Sequence, residues 1–329
     1  MIDHRSWHWP IAIVVFAAVC VAGIASGAIR IPVADVMRAL VGAGDTSAIA
    51  IVRDLRLPRV VLAALIGAGL AMSGAALQGT LRNGLAEPYL LGVSGGAAVG
   101  AVVAFAFGIS NSGWIALSAF AGAAVAVLAA LLVARAAGRG GRGDPRTLLM
   151  AGVVIGAFAN AVIMVALANA PPNTIRGALW WMMGSAGDAS WSTIGVLTLS
   201  IFGAGAALIY LARDIDVLAL GEEPAAALGV DVDRSARTIY LLSALLAAAT
   251  VAAAGLVGFV GLIVPHIVRY AGLRRHRPLL LGSALVGATL VVAADLAART
   301  IRPPAELPLG AVTAILGVPF FLAQLRKGT

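Results

Sequence analysis

Charged residues are scarce in this chain. Only 12% of its 329 residues are Asp, Glu, Lys or Arg, while 61% are hydrophobic. That balance excludes an ordinary soluble domain and points to a polytopic membrane protein. Cysteine is rarer still: Cys20 stands alone inside an apolar run, so there is no disulfide framework. Gly-x-Gly patterns are frequent, yet none ends in the Lys-Ser/Thr that a phosphate-cradling loop needs. The histidines His4, His8, His266 and His276 are scattered and form no metal-ligand cluster; His266 reads as a membrane-interface residue. Low-complexity tails and Ser/Pro linkers are missing too, so residues 1–329 read as a single integral domain with no room for a soluble catalytic domain. The formal charge of +8 does not imply nucleic acid. The basic residues sit in short loops between apolar runs, where the positive-inside bias places them.

A helical crossing needs about 20 mostly apolar residues. Runs of that kind lie at 10–28, 60–81, 90–107, 114–133, 148–170, 191–212, 239–257, 278–294 and 307–325. A shorter one, 259–268, reads as a partly buried helix ending near Pro265. A signal peptide is the competing reading of the first run, but no clear small-x-small cleavage site leads into a soluble start. The fold class is therefore all-α and polytopic, with about ten transmembrane helices. Segment 29–59 reads as a basic loop, and 171–188 as an irregular interfacial stretch around Trp180 and Trp181. Ten spans put both termini on one side. With that side cytoplasmic, 1–9, 82–89, 135–146, 213–237, 269–277 and 326–329 hold 15 of the 23 Lys and Arg.

Asp, Glu, Lys and Arg are absent from the interiors of the spans so drawn. Proton-coupled carriers and intramembrane enzymes place ionisable groups there. Their absence favours energy arriving from outside the membrane, although a sodium-coupled carrier can use backbone carbonyls at broken helices. Small residues fill the same spans. Gly67, Gly69, Ser73 and Gly74 crowd the second, and Gly96/Gly100 and Gly152/Gly156 are G-x-x-x-G pairs of the kind that let helix backbones approach. Segment 255–261 looks like a bent connection between two helices.

The most informative loop is 213–237, where Asp214, Asp216, Glu222, Glu223, Asp231 and Asp233 face three arginines. Acidic residues contribute little to topology, so this excess reads as free to serve a contact. Within it, Leu220, Gly221, Glu222, Glu223, Pro224, Ala225, Ala226, Ala227, Leu228 and Gly229 predict a very short capped helix. Acidic residues favour its start, Pro224 suits the first helical position and Gly229 the stop. A helix that short needs something to pack on.

Six collinear stretches carry a family resemblance from about residue 50 onward. They are Arg56-Leu57-Pro58-Arg59 with Gly74 and Leu77-Gln78-Gly79; Asn83 to Pro88 with Leu91 to Gly96; Trp181-Met182-Met183-Gly184; the Leu220 to Val230 loop; Gly258 to Arg269; and Ala294-Asp295 with Glu306 to Gly310. Together they resemble the permease subunit of ABC importers for iron chelates and vitamin B12. Gly84 departs from the proline usual there, but either residue makes a turn. The resemblance implies a homodimer in the bacterial inner membrane with the substrate path along its axis. Two cytoplasmic ATPase subunits and a periplasmic binding protein would complete the assembly. No cofactor would be bound by this subunit; ATP and Mg would be used by the ATPase, and the chain would not be an enzyme. The short helix would then be the coupling element. Arg56, Arg59 and Arg299 would dock the binding protein, against the alternative of simple headgroup anchoring. Arg176, Gly74, Gln78, Gly152 and Gly156 are candidate pathway or gate residues. The expected cargo is a ferric siderophore or haem, with cobalamin second.

Overall fold

The computed structural model describes residues 8–27, 29–137 and 145–325. Most of the basic turn 135–146 lies outside the described residues, as do residues 1–7 and 326–329. The helices are α1 (His8–Ala25), α2 (Val33–Leu40), α3 (Thr46–Ala50), α4 (Leu57–Thr80), α5 (Val93–Ala106), α6 (Ser112–Ala137), α7 (Pro145–Ala168), α8 (Pro172–Met182), α9 (Trp191–Tyr210), α10 (Ala212–Leu218), α11 (Glu222–Ala227), α12 (Val232–Ala254), α13 (Val260–Tyr270), α14 (His276–Thr300) and α15 (Leu309–Leu325). No strand occurs among the described residues. Six helical runs are long and apolar enough to cross a membrane, and four shorter apolar helices stand where other spans were expected.

Helix α4 is the centre. From Gly67 to Thr80 nearly every residue is buried, including Ser73 and Gln78. Its small residues explain how it can be enclosed. A Cβ on Gly67 would come within 2.0 Å of the Gly287 carbonyl oxygen on α14, and one on Gly74 within 2.0 Å of the Gly261 carbonyl on α13. Ser73 Oγ donates to the Ser243 carbonyl of α12 at 2.7 Å. Helices that gain nothing from exchanging lipid for another apolar surface associate by such close backbone packing and by interhelical hydrogen bonds. Gly96 and Gly100 do the same between α5 and α6, where added Cβ atoms would meet the carbonyls of Gly122 and Ser118 at 2.4 and 2.0 Å.

The outer helices show large apolar side chains to their surroundings: Val125 and Leu132 on α6, Met150, Val154 and Phe158 on α7, Leu199 and Phe202 on α9, Ile315 on α15. Apolar exposure on this scale needs lipid or a partner subunit against it.

Four expectations are corrected. Segment 29–59 is largely helical, not a loop. Asp45 caps α3 by accepting from Ala48 N–H at 3.1 Å, and a π-helical turn, Ile51–Arg56, leads without interruption into α4. Pro58 lacks the N–H that would continue the α register, and the wider turn before it absorbs the break. Segment 171–188 contains α8, which starts with Pro172 at its first position. Pro265 lies inside α13 rather than at its end. Finally, the run drawn as 278–294 extends to Thr300 and carries Asp295 and Arg299, both buried, so the helices are not free of charge.

Candidate functional site

Three places carry the candidate functional residues. The first is the short helix α11. Gly221, at φ +121°, turns the chain into it, and Glu222 and Glu223 occupy its first turn. Pro224 therefore stands third in the helix, not first. The end is a Schellman motif: Gly229 N–H donates to Ala226 O at 3.0 Å and Val230 N–H to Ala225 O at 3.1 Å, with Gly229 at φ +81°. Ala225 is fully buried and seats the helix. Glu222, Glu223, Pro224, Ala226, Ala227 and Leu228 face outward, and Leu220 and Leu228 are 64% and 60% exposed.

The acidic excess around α11 is mostly committed. Asp214 accepts from Ser235 Oγ at 2.8 Å, Asp231 from Arg234 N–H at 3.1 Å, and Glu222 lies 3.8 Å from Arg82. Asp216 accepts from both the backbone N–H of His276 (2.9 Å) and its Nδ1 (2.6 Å), so α10 caps the N-terminus of α14. The expectation that these acids stand free is corrected: Asp214 and Asp216 tie the loop to α12 and α14, and Asp231 caps α12. That leaves Glu223, Leu220 and Leu228 as the outward chemistry.

The second place is the bent segment between α12 and α13. Irregular backbone inside a membrane protein needs its polar groups satisfied by protein. Tyr89 OH donates to Val257 O and accepts from Val257 N–H, both at 3.0 Å, and Glu87 accepts from Phe259 N–H at 2.9 Å. Burial pushes the Glu87 carboxyl above its ordinary range, and the Phe259 N–H opposes that shift. Pro265 removes the donor for the carbonyl four residues earlier, Gly261. Gln78 Nε2 reaches that carbonyl at 3.3 Å and Leu262 O at 3.0 Å, while Gln78 Oε1 accepts from Arg269 at 2.6 Å. Gln78 thus mends the helix that Pro265 breaks. His266 is not a bare interface residue: its Nε2 lies 2.8 Å from Gly84 O.

The third place is a cleft of about 370 Å³ lined by Arg56, Arg59 and Arg299 together with Asp54 and Glu306. The structure thus brings together three arginines spread over 243 positions of sequence. Most of their donors are engaged. Arg56 bonds Ile24 O and Ala25 O at 2.9 Å and also Ile29 O. Arg299 bonds Ser26 O at 2.8 Å and also Gly23 O. Gly23, Ile24 and Ala25 are the last residues of α1, and Ser26 and Ile29 lie just beyond it; cationic side chains suit a helix C-terminus. Arg59 forks onto Glu306 at 2.8 and 2.9 Å, its Nε donates to Asp295 at 3.0 and 3.1 Å, and Arg299 pairs with Asp295 at 3.2 Å. The hydrogen bond from Arg59 holds the Glu306 carboxyl below its usual range.

Of the candidate pathway residues, Gly74 and Gln78 sit in the α4–α13 seam. Gly152 packs against the Leu90 carbonyl, where a Cβ would come within 2.0 Å. Gly156 faces open space, and Arg176 is exposed on α8. Sequence reasoning gave no individual role to Glu306, Asp295, Glu87 or Tyr89, and it took Asp216 only as part of the acidic excess of its loop.

Described residues without a strand, one enclosed apolar helix, a mended broken helix and a six-residue helix seated on the bundle through Ala225 define a multi-pass membrane permease. It belongs to the FecCD transport family, which matches residues 13–327. The chain is 43% identical over 276 residues to the cobalamin import system permease protein BtuC of Halobacterium salinarum, covering 84% of this chain and 73% of that protein. To the hemin transport system permease protein HmuU of Yersinia pestis it is 42% identical over 272 residues, covering 82% and 81%. A solved structure assigned to the metal-chelate type ABC transporters in an inward-facing conformation superposes with a TM-score of 0.86 at 27% identity, covering 96% of this chain and 97% of that one. The chain is an ABC importer permease, a transport subunit and not an enzyme.

Proposed function

We propose that this permease moves an iron chelate, a ferric siderophore or haem, across the bacterial inner membrane as a homodimer. Both termini, and with them α11, lie in the cytoplasm, and the whole chain forms one integral domain. A separate ATPase pair uses ATP and Mg and seats on α11; the permease itself binds no cofactor. The observation that carries this reading is α11, whose Leu220 and Leu228 are mostly exposed and whose Glu223 has no ion pair among the described residues, although a helix this short is not stable alone. The exposed apolar faces of α7 and α15 support a second copy in the membrane.

A binding protein docks over the arginine cleft. Because Arg56 and Arg299 hold α1, its carboxylates meet chiefly Arg59 and compete there with Glu306. Arg176, Gly74, Gln78, Gly152 and Gly156 stay as candidate gate positions, with Gly156 and Arg176 the two open to a passing ligand. Cobalamin is the second cargo, favoured by the relative named for it. The test is uptake into vesicles holding the permease, its ATPase and a loaded binding protein. Iron-chelate uptake that needs both ATP and the ATPase is expected. Cobalamin uptake alone would replace the cargo, and sodium-driven uptake without the ATPase would overturn the class.

A further inference from the structure

We propose that the basic pocket where α9, α10 and the start of α14 meet binds the phosphodiester headgroup of an anionic membrane phospholipid. The pocket is open and measures about 710 Å³. Arg213, Arg275 and Arg277 line it, together with Tyr210, Ile209 and Pro278. All three arginines are exposed. Unlike the arginines of the outer cleft, none has a side-chain hydrogen bond or ion pair among the described residues. Asp216 also lines the pocket, but its Oδ1 is already held by His276. Three unpaired guanidiniums converging on one pocket leave a strong anion site unfilled, since the planar fork of Arg suits phosphate.

The apolar surface beside the pocket selects a lipid over a free anion. Along α9, Val196, Leu199 and Phe202 are 68%, 77% and 71% exposed, and the stripe ends at Tyr210, 87% exposed. At 1.5 Å per residue, Val196 to Tyr210 spans about 21 Å, enough to follow an acyl chain through one leaflet of about 15 Å. Tyrosine at the end of such a stripe marks the headgroup level. Basic pockets between helices at a membrane face are a known lipid-headgroup geometry. The bound lipid would rest on α10, the helix that leads directly into α11.

The purified full-length chain in detergent is titrated with dioleoylphosphatidylglycerol or dioleoylphosphatidylcholine, and bound lipid is counted by native mass spectrometry. Each arginine near an anionic headgroup is worth roughly fivefold, so the Arg213→Ala/Arg275→Ala/Arg277→Ala variant should bind phosphatidylglycerol about 100-fold more weakly. The control removes three exposed arginines outside the pocket, Arg135→Ala/Arg274→Ala/Arg302→Ala, and should keep the tight lipid. Equal loss in the control, equally tight phosphatidylcholine, or displacement of the lipid by inorganic phosphate at matched concentration would each overturn the assignment. An arm that needs no variant guards against misfolding: a photoactivatable phosphatidylglycerol should label peptides 206–216 and 275–278 of the wild-type chain, and labelling only elsewhere refutes the site.

Discussion

Truncating Leu220 and Leu228 to alanine separates the proposed coupling role of α11 from its part in folding. Both side chains face outward, at 64% and 60% exposure, while Ala225 on the opposite face is fully buried. Removing exposed methyl groups should change the permease's own stability by no more than about 0.5 kcal/mol. Burying a whole leucine side chain is worth roughly 1.5–3 kcal/mol, so the six-tenths still open to a partner represent about 1 kcal/mol each after allowing for the alanine that remains. The double variant should then bind the ATPase subunit more weakly by about 2 kcal/mol, or roughly 30-fold. Leu228→Asp should do worse than alanine, because it places a charge in the contact. Ala225→Asp is the contrasting variant: it puts a charge at the buried seat and should destabilise α11 itself. The assay is ATPase retention on detergent-solubilised permease over a concentration series, with thermal unfolding of the permease measured in parallel. Normal retention by both the double variant and Leu228→Asp, with ATP-driven uptake intact, would refute the reasoning.

Other outcomes follow from the packing and the ion pairs. Gly67→Val should prevent α4 and α14 from closing, because even its Cβ would lie 2.0 Å from the Gly287 carbonyl, whereas Gly156→Ala, with nothing within 4 Å, should leave folding unchanged; size-exclusion profiles compare them. Gln78→Leu should cost about 2–4 kcal/mol, since it strands the Gly261 carbonyl and the Arg269 guanidinium, and thermal unfolding in detergent reads it. Glu306→Gln should free half of the Arg59 fork and speed docking of a binding protein at low salt, more than at high salt; an unchanged association rate would remove Arg59 from the docking surface. The folded Glu306 carboxyl titrates below its ordinary value. Its bond to Arg59 therefore stabilises the fold above that ordinary value and is lost as pH falls through the lowered one. Acid unfolding curves of wild type and Glu306→Gln should accordingly converge at the acid end.

Legibility differed from place to place. The apolar runs, the small-residue seams and the limits of α11 follow from local rules of hydropathy, backbone clash and capping, and those rules act within a few residues. The roles of polar residues do not. Asp295 looked like the first residue past a span, because charge was taken to end one. In the fold it is buried between Arg59, which also forks onto Glu306, and Arg299, which also holds the carbonyls of Gly23 and Ser26 at the end of α1. Gln78 read only as a candidate pathway residue, and the carbonyl that Pro265 orphans, to which its amide bonds, lies 183 positions away along the chain.

The sequence by itself determined that this chain lives in a membrane, where its helices pack closely, and where the short outward helix begins and stops. Each of those depends on side-chain size, hydropathy or backbone freedom at neighbouring positions. Only the tertiary structure decided which charges are paired, that the acidic loop is tied to α12 and α14, and that Arg213, Arg275 and Arg277 share one pocket. Hydrogen bonds and ion pairs act over about 3 Å, and groups 60 or more residues apart, such as Asp216 and His276, come within that distance only once the helices have packed.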